Sequence, residues 1–198
     1  MRMPERASWL RRPVVGAALA ALVLVGGAVL ADRVGWAAPA GTRSQELTGT
    51  ALVRVGQQAP ELALTTTGGQ HDALSRWRGH AVWLAFGATW CPPCRAEAPD
   101  IQSTWERSKR RGDQVVAIYK GDDAATVTGF AQRLGLTYLQ VPDPGATAAD
   151  RYGVVGIPTH VFIDAAGMVR AVRVGVLTPE QAQAELDRLA APSASPGS

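Results

Sequence analysis

Cys91 and Cys94 are the only two cysteines of the 198-residue chain, and they lie three residues apart in Trp90-Cys91-Pro92-Pro93-Cys94. Two cysteines at that spacing on a first helical turn share one face and come close enough to close a disulfide. The first would sit at a helix N-terminus, where unpaired backbone N–H groups and the helix dipole stabilise a thiolate. The thiolate is the nucleophile in disulfide exchange, so Cys91 is expected to attack. Cys94, one turn further in, is expected to be better shielded and to resolve the mixed disulfide. Pro93 suits a helix start, because its missing N–H costs little there. A static disulfide across so short a loop would add little stability. A zinc site normally wants four ligands, and beyond the two cysteines the chain has only His71, His80 and His160, none at paired spacing. The pair therefore reads as a redox dithiol needing no metal or other cofactor.

The elements that must position this pair follow from the apolar pattern. Ala81 to Gly87 (AVWLAFG) is a continuous apolar run ending at the dithiol turn and reads as a buried strand. Residues 91 to about 111 read as a helix, with Ala98, Ile101 and Trp105 on one face, basic residues at the C-terminal end and Gly112 as the stop. Gln114 to Tyr119 reads as the next strand. A helix capped by Asp123 runs to about Leu134, Thr137 to Val141 is a further strand, and Ala146 to Tyr152 a short helix. His160 to Ile163 and Met168 to Val174 form a hairpin across Asp164-Ala165-Ala166-Gly167. A last helix opens at Thr178-Pro179-Glu180-Gln181, a capping-box pattern. Alternating strands and helices followed by a hairpin predict an α/β sheet, mostly parallel with an antiparallel edge.

Phe86 to Pro99, FGATWCPPCRAEAP, resembles the active-site signature of thioredoxin-fold proteins, and more narrowly of the TlpA/ResA-like branch that includes cytochrome c maturation thioredoxins. The resemblance runs from about Val55 to Ala190. It implies a thioredoxin-like fold, with a central mixed β-sheet flanked by helices, and thiol–disulfide oxidoreductase activity. On this resemblance Pro158, in Gly156-Ile157-Pro158-Thr159, matches the cis-proline opposite the dithiol, and the backbone of Ile157 would pair with an extended substrate segment. Trp90 matches the aromatic beside the first cysteine and would contact substrate. Pro92 and Pro93 shape the active-site turn, and Pro99 matches the proline that kinks the active-site helix. Glu97 matches a glutamate that modulates thiol acidity and proton transfer, raising a nearby thiol pKa by repulsion or taking its proton. Asp122 matches a second acidic position. The helix and strand between Asp123 and Val141 fit the branch's insertion.

Two departures stand out. Ala85 occupies the place of thioredoxin's buried aspartate, so another group must handle protons. Gly87 stands where many relatives have tryptophan, which is expected to open space beside the site. His160, on a strand just past Pro158, is expected to be structural rather than a proton carrier.

The formal net charge of +3 resides wholly in the first twelve residues, where Arg2, Arg6, Arg11 and Arg12 oppose Glu5. The neutral remainder offers no footprint for nucleic acid. Residues 1–12 read as a cytoplasmic basic leader and 13–31 as a transmembrane anchor or uncleaved signal. That uncharged run spans about 28 Å as a helix, close to a bilayer core of roughly 30 Å. Arginines before it place the N-terminus in the cytoplasm and the body outside. A cleaved signal peptide is the alternative, with small residues at Val29-Leu30-Ala31 and Ala38-Pro39-Ala40. Secretion or a periplasmic location would then follow. Pro13 and Val14 after Arg11-Arg12 argue against a twin-arginine signal, and no cysteine follows the run to carry a lipid. Residues 32–54 read as a flexible tether, 55–190 as the thioredoxin-like domain, and 191–198 as a disordered tail.

The leading function is a membrane-tethered extracytoplasmic oxidoreductase that reduces disulfides in partner proteins and is re-reduced by a membrane thiol–disulfide electron donor. Apocytochrome c as a substrate rests on the resemblance alone. The same residues could serve a disulfide-donating oxidant, and the reduction potential decides. A peroxiredoxin needs Thr-x-x-Cys, whereas Thr89 precedes Cys91 with one intervening residue. A copper-delivery module of the Sco type needs Cys-x-x-x-Cys, and the spacing here is one residue short.

Overall fold

The computed structural model describes residues 52–190. The expected leader, membrane anchor, most of the tether and the tail lie outside that range. No helix among the described residues is long and apolar enough to cross a membrane.

A five-stranded sheet forms the middle layer, in the order β5-β4-β3-β6-β7. Its strands are β3 (Val82–Gly87), β4 (Gln114–Lys120), β5 (Leu139–Asp143), β6 (Thr159–Ile163) and β7 (Val169–Val174). β3 runs parallel to β4, and β4 parallel to β5. β6 runs antiparallel to both β3 and β7. The sheet is therefore mixed, as expected, with β3 at its centre. Central position requires apolar residues on both faces, and five of the six β3 residues are buried.

Alternation along β3 sorts the core into two halves. Val82, Leu84 and Phe86 face one side with Val116, Ile118, Val161 and Ile163. They pack under the short helix α3 (Thr147–Arg151) and the chain that enters the domain. Trp83 and Ala85 face the other side with Val115, Ala117, Tyr119 and Phe162. There they meet α1 (Pro92–Ser108), α2 (Ala124–Leu134) and α4 (Pro179–Ala190). The result is a helix–sheet–helix sandwich with the dithiol at the C-terminal end of the central strand.

The element boundaries follow local chemistry. Asp123 caps α2, accepting the Thr126 N–H at 2.8 Å. α1 gives way to a single 3₁₀ turn at Lys109–Arg111, and Gly112 closes it with φ +85°, a conformation glycine adopts without steric cost. The β6–β7 hairpin turns where expected. A small antiparallel hairpin of β1 (Ala63–Thr65) and β2 (His71–Ala73) was not foreseen, nor was the 3₁₀ turn Leu74–Trp77 that follows it. Strands of three residues are too short to print an alternating pattern, and the Thr66–Gly69 turn is the only local signal.

Candidate active site

β3 delivers the chain to the site and α1 carries it away. The turn between them is fixed from below by Asp122, at the end of β4. Its Oδ2 accepts the Thr89 N–H at 2.7 Å and its Oδ1 the Thr89 hydroxyl at 3.0 Å. Both hydrogen-bond donors of Thr89 are thus committed to Asp122. A structural job for Asp122 as the anchor of the turn was not legible in the sequence.

Cys91 is the N-cap of α1, with extended backbone (φ −85°, ψ 111°), and Pro92 and Pro93 fill the first helical positions. Cys91 and Cys94 are joined as a disulfide, with Cα atoms 5.3 Å apart. The Cys94 N–H points at Cys91 Sγ at 3.4 Å. This is a capping contact that favours negative charge on the first sulfur, because an otherwise orphan helix donor stabilises it. The expected shielding order is not found: Cys91 is the more buried residue, at 4% exposure, while Cys94 is only partly buried. In the closed disulfide the N-cap residue is folded under the turn. The two sulfurs therefore differ in hydrogen bonding and in cover, the cover running opposite to the expected order. Next to them Trp90 is 64% exposed and offers a broad apolar surface.

Facing the dithiol, the Ile157–Pro158 peptide bond is cis. Pro158 is buried and Ile157 half-buried. Among the described residues neither backbone group of Ile157 enters a backbone hydrogen bond. The same loop carries Val155, 98% exposed, and the neighbouring β7 end adds exposed Val174 and Val176. These three valines gave no separate signal in the sequence.

Behind Cys94 lies a cavity of about 20 Å³, lined by Ala85, Gly87, Cys94, Glu97, Tyr119, Tyr138, Pro158 and His160 among others. That volume suits about one water molecule. Glu97 points inward and is almost fully buried. Its Oε1 accepts the Leu177 N–H at 2.7 Å and lies 3.2 Å from His160 Nε2. Tyr119 and Tyr138 are both pushed well above the ordinary phenol pKa by burial. They remain neutral phenols at physiological pH. Ala85 pairs across the ladder with His160, so the small side chain at Ala85 leaves room that Glu97 and His160 border. His160, expected to be merely structural, sits in the polar centre of the site. Gly87 borders the cavity too, but the space nearest it is taken by Cys94: a Cβ at Gly87 would lie 3.3 Å from Cys94 Cβ. The expected opening is therefore filled by the dithiol itself.

Pro99 lies within α1 at an exposed position. It has no N–H to return to the Arg95 carbonyl, which solvent can satisfy instead. No group of three or more His, Cys, Asp or Glu is gathered as a metal would require among the described residues.

Residues 55–172 match the AhpC/TSA family. The chain is 34% identical over 137 residues to the thiol-disulfide oxidoreductase ResA of Geobacillus kaustophilus, covering 69% of this chain and 79% of that protein. It is 32% identical over 130 residues to ResA of Bacillus subtilis, covering 66% and 73%. The fold superposes with a TM-score of 0.62 on a thiol:disulfide interchange protein of the thioredoxin family from Chlorobium tepidum, at 28% identity, over 70% of this chain and 99% of the other.

Proposed function

The chain belongs to the AhpC/TSA family and is a thiol–disulfide oxidoreductase of the ResA type, and from that premise we propose that it works as a reductase of protein disulfides on the outer side of the membrane. The observation that carries the chemistry is the Cys94 N–H directed at Cys91 Sγ. It supports Cys91 as the sulfur better able to hold negative charge, and so as the nucleophile.

In the reduced protein the Cys91 thiolate attacks one sulfur of a partner disulfide. A mixed disulfide forms and the partner's other sulfur leaves as a thiolate. Cys94 then gives up its proton and attacks Cys91 Sγ, so that the Cys91–Cys94 bond forms and the mixed bond breaks. The partner's second sulfur also leaves as a thiolate, the two partner thiolates take up protons from solvent, and the protein carries the disulfide seen here. Glu97, bordering the same cavity as Cys94, takes the Cys94 proton, a part that Ala85, with no acid group, cannot play. Trp90 and the free backbone of Ile157 receive the partner's segment by strand-like pairing, with Val155 as added apolar contact. Pro92, Pro93 and Pro99 hold the shape of the turn and helix.

The uncharged run at 13–31 supports tethering, and two electrons from a membrane thiol–disulfide donor would restore the dithiol. Apocytochrome c is the substrate suggested by the sequence resemblance. The test is reduction of a disulfide peptide that carries a haem-attachment Cys-x-x-Cys-His segment, with the full chain kept reduced. Turnover that requires both cysteines supports the reading. A protein that only oxidises the dithiol form of that peptide would favour the disulfide-donating alternative.

A further inference from the structure

Glu97 does not stand alone behind Cys94. His160 is wholly buried and each of its ring nitrogens has a fixed neighbour. Trp83 Nε1 donates to His160 Nδ1 at 3.2 Å. An indole N–H can only donate, so Nδ1 must be the unprotonated nitrogen and the ring proton sits on Nε2. Nε2 in turn meets only acceptors: the Gly175 carbonyl at 3.2 Å and Glu97 Oε1 at 3.2 Å. One tautomer satisfies all three contacts. Adding a second proton at Nδ1 would expel the Trp83 N–H from its partner in a buried site, which is costly. The Nε2–H of His160 is thus fixed beside the carboxylate.

Two N–H dipoles, from His160 and Leu177, crowd the same oxygen of Glu97. No protein donor reaches Oε2 among the described residues, which leaves that oxygen able to accept a proton. The other titratable neighbours are accounted for. Tyr119 from β4 and Tyr138 before β5 remain neutral because burial opposes their ionisation. Cys94 contributes from α1. On the α4 side Glu185 is paired with Arg173 of β7 and with Arg188.

We propose that His160, locked in one tautomer by Trp83, is the positioning residue that engages Oε1 of Glu97 and leaves Oε2 turned to the cavity to take the Cys94 proton. This rests on the reading of Glu97 as the proton acceptor. The step itself is unchanged: the S–H bond of Cys94 breaks, Glu97 Oε2 gains the proton, and the Cys94 electron pair forms the bond to Cys91.

The experiment follows the purified, reduced full chain reacting with an aryl disulfide that releases a coloured thiolate. The first equivalent reports attack by Cys91 and the second reports resolution by Cys94. Glu97→Gln should abolish the acid limb of the second phase. His160→Phe, which removes the donor beside the carboxylate, should move that limb up by about one pH unit, roughly a tenfold slower second phase below it. His160→Gln, a neutral donor, should restore most of the shift. Combined with Glu97→Gln, His160→Phe should add nothing to the pH profile. A limb moved by Glu97→Gln but unmoved by His160→Phe would overturn the role of His160 and leave that of Glu97 intact. A limb unmoved by Glu97→Gln would overturn both. Should His160→Phe fail to fold, Trp83→Phe provides the second probe. It frees Nδ1 and should shift the limb in the same direction by less; no shift contradicts the proposal. ¹⁵N shifts of the His160 ring should report the Nε2–H tautomer from about pH 5 to 8, and an imidazolium in that window would contradict it.

Discussion

Two sulfurs with unequal surroundings make the order of attack a matter of hydrogen bonds. Cys91 Sγ has a backbone donor from its own helix, whereas Cys94 has a carboxylate across a small cavity. The first arrangement favours a thiolate, and the second favours a thiol whose proton leaves only when needed. Cys94→Ala should therefore accumulate mixed disulfides through Cys91, visible as higher-mass species on non-reducing gels that collapse with reductant. Cys91→Ala should accumulate far fewer. An equal yield from both variants would reverse the assigned order. Trp90, most of whose surface is open, should matter for large partners and little for small ones. Trp90→Ala should lower the rate with a folded protein disulfide several-fold, yet leave the reaction with a small aryl disulfide within about twofold. These estimates follow from the weight that exposed aromatics carry in protein contacts.

Among the elements, the end of β4 and the C-terminal ends of the helices do the positioning. Asp122→Ala would strip the Thr89 N–H and hydroxyl of their acceptor, a loss of about 1–3 kcal/mol by the cost of an unmade buried hydrogen bond. Chemical denaturation should show it, together with a slower first phase of exchange, because the turn that holds Cys91 is loosened. The link between the end of α1 and α4 is weaker. Gln183 and Arg111 hydrogen-bond to Asp187 and hold its carboxyl below the usual carboxylate range. A carboxylate so depressed adds stability that is present above its ordinary pKa and lost as pH falls through the depressed value. Compared with Asp187→Asn, the wild type should gain a few tenths of a kcal/mol near neutrality, since an exposed pair is screened by solvent. That gap in thermal unfolding should close below about pH 3.

The legibility of these elements varied with length and with burial. β3, which lies in the seven-residue run Ala81 to Gly87, and the helix that starts at the dithiol could be read because their patterns persist over many residues. β1 and β2 could not, since three residues carry no period. Cys91, Cys94 and the Gly-Ile-Pro-Thr turn were visible from spacing and resemblance. The surroundings of His160 could not be read because they come from residues far away in sequence: Trp83, Glu97 and Gly175 converge on it only once β3, α1 and β7 are packed. The role of Asp122 was hidden for the same reason, its partner lying 33 residues away.

For the molecule as a whole, the domain is one sandwich whose redox pair sits at the C-terminal end of its central strand. Exposed Trp90 stands beside that pair and exposed Val155 lies in the Pro158 loop, and the neutral body follows a basic, apolar N-terminal segment in the chain. If that segment tethers the domain, deleting residues 1–31 should move the protein from the membrane fraction to the soluble one without changing its exchange with a small disulfide. Retention in the membrane fraction would refute the tether. The direction of electron flow is the central claim, and it belongs to the equilibrium between the two states of the Cys91–Cys94 pair. Equilibration of the chain with glutathione buffers, read by the fraction oxidised, measures it directly. A reductase predicts a midpoint near thioredoxin's, about −270 mV, whereas a value near about −120 mV would mark a disulfide donor and contradict the account.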